Sequence, residues 1–449
     1  MDFKRALLVV GVVAMTSAPA MAQKYGITSK VLDNGLEVIV IENHGVPLAT
    51  IEICAKNGAY TETPDLDGLS HLYEHMFFKA NKEIPTQERY MERTRELGMN
   101  WNGTTSDERV NYYFTLHKDD LVDGLKFMND AIRYPLFLQE ELLREREVVI
   151  GEFDRAEASP YFHFGRAVGK ELWYKYYSRK NVIGDRDTIL AADQEKLRRI
   201  QSRYYIPNNS ALIVAGDVEP EDVFAKVEAQ YGDWERGDDP FEKFPVPDHP
   251  PLSQSKILAV LQPINFIVIQ RTWHGPSMRD DVPGTFAADV FSFIIGQPDS
   301  KFQKNLVDAG LVDGVGLGYQ SLTYTGPISV NARTSANRYN EALAAIEAEI
   351  EKFDDPDYFT DEQIEFAKNQ LEISEIYGRE RADQFAHTVS YWWCARNLQY
   401  YLDYIENLRR VTREDIYRYI GSYIKGKPAV TGVLVSEEDQ QQLQIGEGN

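Results

Sequence analysis

His71, Glu74 and His75 are the residues of this 449-residue chain whose types and spacing could do chemistry. The histidines stand four apart. On an α-helix, positions i and i+4 lie on one face, one turn apart, so both imidazoles can reach a single divalent cation. Glu74 follows His71 by three positions and shares that face. A carboxylate beside a cation-activated water can serve as a general base. The spacing therefore predicts a hydrolytic metal centre carried on a helix. On the pentapeptide alone, the competing reading is a surface helix with two solvated histidines.

Two histidines do not complete a catalytic zinc site, which takes three protein ligands and keeps a fourth position open. Downstream, residues 142–152 read as a helix, with strong helix formers and apolar Leu142, Leu143, Val148, Val149 and Ile150. Glu145 and Glu152 are two turns apart, hence on one face, whereas Glu147 points elsewhere, to solvent. Two inward carboxylates on one helix need partners, and a cation is one such partner.

The order His-x-x-Glu-His is the inverzincin signature. Together with the two glutamates it resembles the pitrilysin/insulysin/mitochondrial processing peptidase family of zinc metallopeptidases. In that family a glutamate ligand follows some seventy to eighty residues later, with another glutamate seven residues before it; Glu152 and Glu145 stand at those positions. The resemblance implies one Zn²⁺ per chain, held by His71, His75 and Glu152. It implies Glu74 as general base and Glu145 as the carboxylate that orients a ligand histidine. The stretch 102–106 followed by 111–114 is similar to a family segment in which an edge strand beside the zinc binds the substrate backbone, so Asn102, Gly103 and Thr104 are implied as substrate-binding. Taken alone, that stretch reads as an ordinary strand after a polar turn. Residues 30–40, with a strong Asn34-Gly35 turn signal, match the family's opening hairpin, and 205–217 match the strand closing its first domain. The likeness is dense in the first half of the chain and thin in the second. The fold it implies is α+β, with two homologous domains, each a largely antiparallel sheet covered by helices.

One departure stands out. Family members that cut alone carry an arginine, and seven residues on a tyrosine, in their second half, aimed at the scissile carbonyl. Here Val307 falls at the arginine position and Val312 or Asp313 at the tyrosine position. Losing one oxyanion donor typically costs about 10²–10³ in rate. Division of labour with a homologous partner chain that supplies the pair accounts for this, since heterodimers of that kind occur in the family; a homodimer is the other possibility. Tyr319 and Tyr324 lie nearby as substitutes.

The rest of the chain must position these groups. Lys4 and Arg5, the apolar run 6–15 and Ala20-Met21-Ala22 read as a cleaved secretory signal over 1–22, with the mature chain starting at Gln23, exported most simply to a periplasm. The mature chain exceeds the size at which one core stops growing. A zinc-bearing peptidase domain is expected over 23–236, a proline-rich linker over 237–251, and a homologous domain without a metal site over 252–449. The duplication shows as an echo of 203–214 in 422–433; the same offset places residues 289–293 (Asp-Val-Phe-Ser-Phe) opposite the histidine pair. The net charge of −22 argues against nucleic acid and anionic membrane partners. Cys54 and Cys394 fall in different expected domains and read as buried free thiols. The remaining histidines show no ligand spacing. The aromatic stretches 172–177 and 391–393 read as interdomain packing.

The sequence thus points to a zinc-dependent endopeptidase for extended or unfolded peptides, with manganese or cobalt also chemically suited to the ligand set. The alternatives are a non-catalytic structural subunit that retains zinc and a peptide-binding subunit that does not cut.

Overall fold

The computed structural model describes residues 24–445. The expected signal segment 1–22 and the start at Gln23 lie outside the described residues. The first half of the chain builds one sheet from β1 (Ile27–Val31), β2 (Glu37–Glu42), β3 (Leu48–Ala55), β4 (Asn100–Thr105), β5 (Val110–His117) and β6 (Ser210–Gly216), in the order β1-β2-β6-β3-β5-β4. Only the β2–β6 pairing is parallel. The Asn34-Gly35 turn closes the β1–β2 hairpin, with Gly35 at φ 92°, where a glycine is unstrained. Strands β2 and β3 are buried along most of their length because both faces of this sheet are covered. Val38, Val40, Ile51 and Ile53 face one core, while Ile39, Ile41 and Cys54 face another.

The first core is closed by helices α1 (Leu69–Phe77), α2 (Leu121–Arg133) and α3 (Gln139–Glu157). After α4 (Pro160–Leu172) come α5 (Gln194–Tyr204) and α6 (Pro220–Tyr231), which complete it. Leu72 and Met76 of α1, Leu142 and Val149 of α3, and Leu197 of α5 are all buried there.

The second half repeats the plan. Strands β7 (Lys256–Leu261), β8 (Ile267–His274), β9 (Gly314–Tyr319), β10 (Pro327–Thr334) and β11 (Val430–Val435) pair in the order β7-β11-β8-β10-β9, and only β7–β11 is parallel. Apart from β1, which is extra, this is the order of the first sheet strand for strand. Helix α7 (Val282–Gly296) falls between β8 and β9 as α1 falls between β3 and β4. The helices α8 (Tyr339–Ile350), α9 (Asp361–Gly378), α10 (Ala382–Ala395), α11 (Arg413–Tyr423) and α12 (Glu437–Leu443) come after it. The α+β class and the homology of the halves are therefore visible in the topology.

The halves also exchange a helix. Phe385, Ala386, Val389 and Trp393 of α10 pack on Ile39, Ile41 and Ile213 of the first sheet. In return, Phe164, Val168 and Leu172 of α4 pack on Val268, Val430 and Leu434 of the second. The two helices hold corresponding places, α4 after α3 and α10 after α9. Each sheet's outer face would be an exposed apolar surface without the helix it borrows. The aromatic stretches serve this contact: Trp173 joins the α4 cluster, and the Trp393 indole donates to Glu37 Oε2 at 2.7 Å. Both cysteines are buried, and they carry free thiols in this structure.

The exchange makes a prediction at Gly432. A Cβ there would stand 2.3 Å from Val168 Cγ2 and 2.8 Å from Phe164 Cε2. Gly432→Val should push α4 off the second sheet and cost about 1–3 kcal/mol. Urea unfolding should show a lower midpoint at unchanged slope; an unaltered midpoint would mean that α4 does not seat here.

Candidate metal centre

Helix α1 starts at Gly68 (φ 90°), which has no side chain to cap its free amide groups. Glu62, buried in the preceding loop, caps them from outside, accepting from Gly68 N at 2.7 Å and Ser70 N at 2.6 Å. Leu69, Leu72 and Met76 point into the core. That leaves His71 and His75 facing α3 and Glu74 facing strand β4 (Asn100–Thr105). The far end of α1 is held by α3 too, since Glu141 accepts from Ala80 N at 3.1 Å. Carboxylates thus hold the backbone at the start of α1 and just beyond its end.

The structure brings His71, His75 and Glu152 together. The two Nε2 atoms are 3.3 Å apart, and Glu152 Oε2 lies 3.7 Å from His71 Nε2 and 3.5 Å from His75 Nε2. Ligand bonds of roughly 2.0–2.1 Å in a tetrahedral zinc site imply ligand–ligand separations of roughly 3.3–3.4 Å. The donor set and its spacing therefore fit Zn²⁺. It is the only such cluster of His, Cys, Asp or Glu among the described residues. Glu145, one face-repeat earlier on α3, accepts from His75 Nδ1 at 2.9 Å. That bond places the proton on Nδ1 and leaves the Nε2 lone pair toward the centre. Buried Lys79, just past α1, holds the other Glu145 oxygen at 2.6 Å. His71 Nδ1 has no partner among the described residues.

The electrostatics suit metal binding. Burial, then repulsion from His75, pulls His71 down to about 4, so it is neutral and can ligate. Burial pulls His75 down as well, but the Glu145 bond and the neighbouring carboxylates outweigh it and raise it. Burial opposes ionisation of Glu145, yet His75 and Lys79 keep it below the usual carboxylate range. Glu74 is pushed up to about 7, by burial first, with Glu152 adding and His75 opposing. A carboxyl poised near neutrality can both accept and return a proton.

Strand β4 is the outer edge of the first sheet, beside α1. Asn102 and Thr104 are exposed on it, and Asn102 Oδ1 accepts from Gly103 N at 2.9 Å. Gly103 faces the opposite way, where a Cβ would meet Glu74 Oε1 at 2.6 Å. The glycine thus gives the Glu74 carboxyl room against the strand.

The second half carries no such cluster among the described residues. Asp289 on α7 is partly buried, takes a bond from Tyr404 Oη at 2.8 Å and is pushed by desolvation up to about 7. Val307 and Val312 pack in the second core, and Asp313 pairs with Arg338 at 2.7 Å. Tyr319 Oη donates to Pro276 O at 3.0 Å, and Tyr324 stacks under Arg279. Sequence reasoning missed Lys79, Glu141 and Glu62. Lys79 was findable, one turn after His75, and Glu141 one turn before Glu145. Glu62 carries no spacing signal because a loop brings it there.

Residues 37–183 match the family model described as insulinase (peptidase family M16), and residues 191–371 match that of the peptidase M16 inactive domain. A zinc protease of Bacillus subtilis, YmxG, is 28% identical over 203 residues, 45% of this chain and 49% of that one. Human insulin-degrading enzyme is 28% identical over 228 residues, 49% of this chain and 22% of that enzyme. The chain spans about half the length of the bacterial relatives it matches. Among solved structures, a protease from Helicobacter pylori superposes with a TM-score of 0.81 at 19% identity, covering 92% of this chain and 99% of that one. The Escherichia coli periplasmic protease PqqL gives 0.74 at 18% identity, covering 94% of this chain and 49% of that one.

If Lys79 holds Glu145, and Glu145 holds His75, then Lys79→Met should weaken zinc affinity by about 10–100-fold. Lys79→Arg should recover most of it. Competition with a chromophoric chelator measures both, and equal affinities for Met, Arg and the parent would separate Lys79 from the metal centre.

Proposed function

The chain belongs to the M16 family of insulinase-type peptidases, and from that premise we propose that it is a zinc-dependent endopeptidase acting on extended or unfolded peptides. The observation that carries this reading is the set of near-tetrahedral separations among His71, His75 and Glu152, with a carboxyl of raised pKa, Glu74, beside them.

In this reading His71, His75 and Glu152 hold the ion and Glu145 fixes the His75 tautomer. Zn²⁺, when bound, supplies Lewis acidity that activates water at neutral pH. Glu74 accepts the proton of the attacking water and returns it to the leaving amine, a role typically contributing about 10²–10⁴-fold. The substrate lies along the free edge of β4 at Asn102, Gly103 and Thr104 and pairs with it through main-chain hydrogen bonds. Recognition of that kind reads backbone more than side chains, which favours unfolded peptides over one sequence.

A homologous partner subunit is part of the proposal. The position expected to carry the arginine holds Val307 and that expected to carry the tyrosine holds Val312 or Asp313, and Tyr319 is committed to Pro276 O. That a full-length PqqL is matched over 49% of its length, by nearly the whole of this chain, supports a working unit of two such halves. A heterodimer supplies the missing donors; a homodimer does not. The periplasm is the proposed compartment, on the basic and apolar pattern of residues 4–22 and on PqqL being a periplasmic protease. No helix among the described residues is long and apolar enough to cross a membrane. The absence of the donor pair also favours, as a second reading, a zinc-retaining subunit that binds peptides or supports an assembly without cutting.

Two variants and one mixing experiment decide. Glu74→Gln should keep one zinc per chain, by elemental analysis, and lose cleavage of a quenched unstructured peptide by at least about 10²-fold. Glu152→Ala should lose the zinc. Cleavage that survives Glu74→Gln removes the general-base assignment, and full zinc in Glu152→Ala removes Glu152 as a ligand. The parent chain should be weak alone and gain activity with a homologue that carries the arginine–tyrosine pair. Full activity alone overturns the division of labour, and no cleavage by either preparation favours the second reading.

A further inference from the structure

Strand β3 lies in the middle of the first sheet, and its outer face carries Thr50, Glu52 and Cys54. Helix α10, lent by the other half, crosses that face. His387, Ser390 and Cys394 fall on one stripe of it, three and four residues apart. Glu52 is wholly buried beneath them. Its Oε1 accepts from Ser390 Oγ at 2.5 Å and from Asn111 Nδ2 at 2.8 Å, and its Oε2 pairs with His387 Nδ1. Arg109 closes the set, with Nη1 donating to Ser390 Oγ at 2.7 Å and to the His387 carbonyl at 2.8 Å. A buried carboxylate with this many partners fixes the register of α10 on β3, since sliding or rotating the helix would strand the charge.

One turn further along the same stripe stands Cys394. Its Sγ lies 3.6 Å from the carbonyl oxygen of Ala55, the residue after Cys54, and Cys54 Sγ lies 3.8 Å from Ala211 O on the neighbouring strand. Both sulfurs sit in one apolar cluster with Ile213, Val389 and Trp393. Burial, and next the adjoining Cys394 thiol, hold the Cys54 thiol well above its ordinary value. The sequence separates these cysteines by most of its length, and the helix exchange brings them together.

We propose that Cys54 and Cys394 form a disulfide when the chain folds in an oxidising medium, and that this bond staples the borrowed helix α10 to the first sheet. The chemistry is thiol–disulfide exchange with a small-molecule disulfide or a disulfide oxidoreductase as oxidant. One protein thiol loses its proton to solvent and attacks the oxidant's sulfur, expelling one thiolate and leaving a mixed disulfide. The second protein thiol, likewise deprotonated, attacks the protein sulfur of that bond and expels the other thiolate. Two protein thiols are oxidised, and one disulfide is reduced to two thiols. Both cysteines are almost fully buried in the docked state, at 1% and 4% exposure. The exchange therefore occurs before α10 seats, and the Glu52 network then brings the bond into place. The loop closed is roughly 340 residues long, in the range where a cross-link most restricts the unfolded chain.

The test uses the full chain. Denatured, reduced protein is refolded in a mixture of reduced and oxidised glutathione, then unfolded again in iodoacetamide without reductant. The expected product takes up no alkyl group, is lighter than reduced protein by about 2 Da, and runs faster on a non-reducing gel. Its melting midpoint falls on adding dithiothreitol. Cys54→Ala and Cys394→Ala should each take up one alkyl group and melt independently of reductant. Two alkylated thiols, a glutathione adduct or a chain-to-chain dimer, in protein that has regained its native circular dichroism, overturn the proposal. A second arm does not require refolding: the chain is exported to a bacterial periplasm, and the cells are lysed into iodoacetamide and denaturant. Protected cysteines support the staple and two alkylated ones overturn it.

Discussion

The contact between α1 and α3 is the constraint on which the rest of this molecule depends. Each helix alone carries half of a metal site and is an ordinary amphipathic element. What brings them together is that α3 directs Glu141, Glu145 and Glu152 at α1 from one face. Glu141 holds the backbone beyond α1, Glu145 holds His75 through its Nδ1 proton, and Glu152 closes on the two Nε2 atoms. The carboxylates that surround the centre would repel one another and resist burial if left alone. Lys79 offsets part of that charge at Glu145, and a bound divalent cation would offset more. In such a site the metal completes the electrostatics that the folded chain leaves unbalanced.

Around that contact the fold is conservative. Two sheets of the same strand order, from a duplicated plan, are tied together by exchange of corresponding helices, α4 outward to the second sheet and α10 back to the first. Reciprocal exchange couples the halves through apolar burial that neither can complete alone. It also frees the copies to diverge at the centre. Helix α1 keeps a hydrophilic face of histidines against α3, whereas its counterpart α7 is enclosed in core and keeps only Asp289, held by burial near neutrality under Tyr404. The same helix position thus carries the His-Glu cluster in one half and packing in the other.

Much of this was legible in the chain itself, for reasons that can be named. The i, i+4 histidines and the glutamates two turns apart are local patterns, and helical geometry converts them directly into shared faces. The Asn34-Gly35 turn is local too, and the echo between 203–214 and 422–433 is read by direct comparison of two segments. Where reading stopped, the cause was distance. Glu62 caps α1 from a loop with no periodicity. Gly103 looked like part of a peptide-binding edge, and only the packed structure shows that its missing side chain makes room for Glu74. The partition at the 237–251 linker says nothing of the helix that each half lends across it.

By itself, then, the order of residues determined the ligand types, the faces on which they lie and the repeated plan, because those follow from backbone periodicity within a few turns. Only the tertiary structure decided that His75 meets Glu145 and Lys79 together, that a borrowed helix covers each sheet, and that Cys54 and Cys394 share one pocket of the core. Those outcomes depend on how apolar faces far apart in the chain are buried against each other. Burial is non-directional, so it is settled by the shape of the whole rather than by any local pattern.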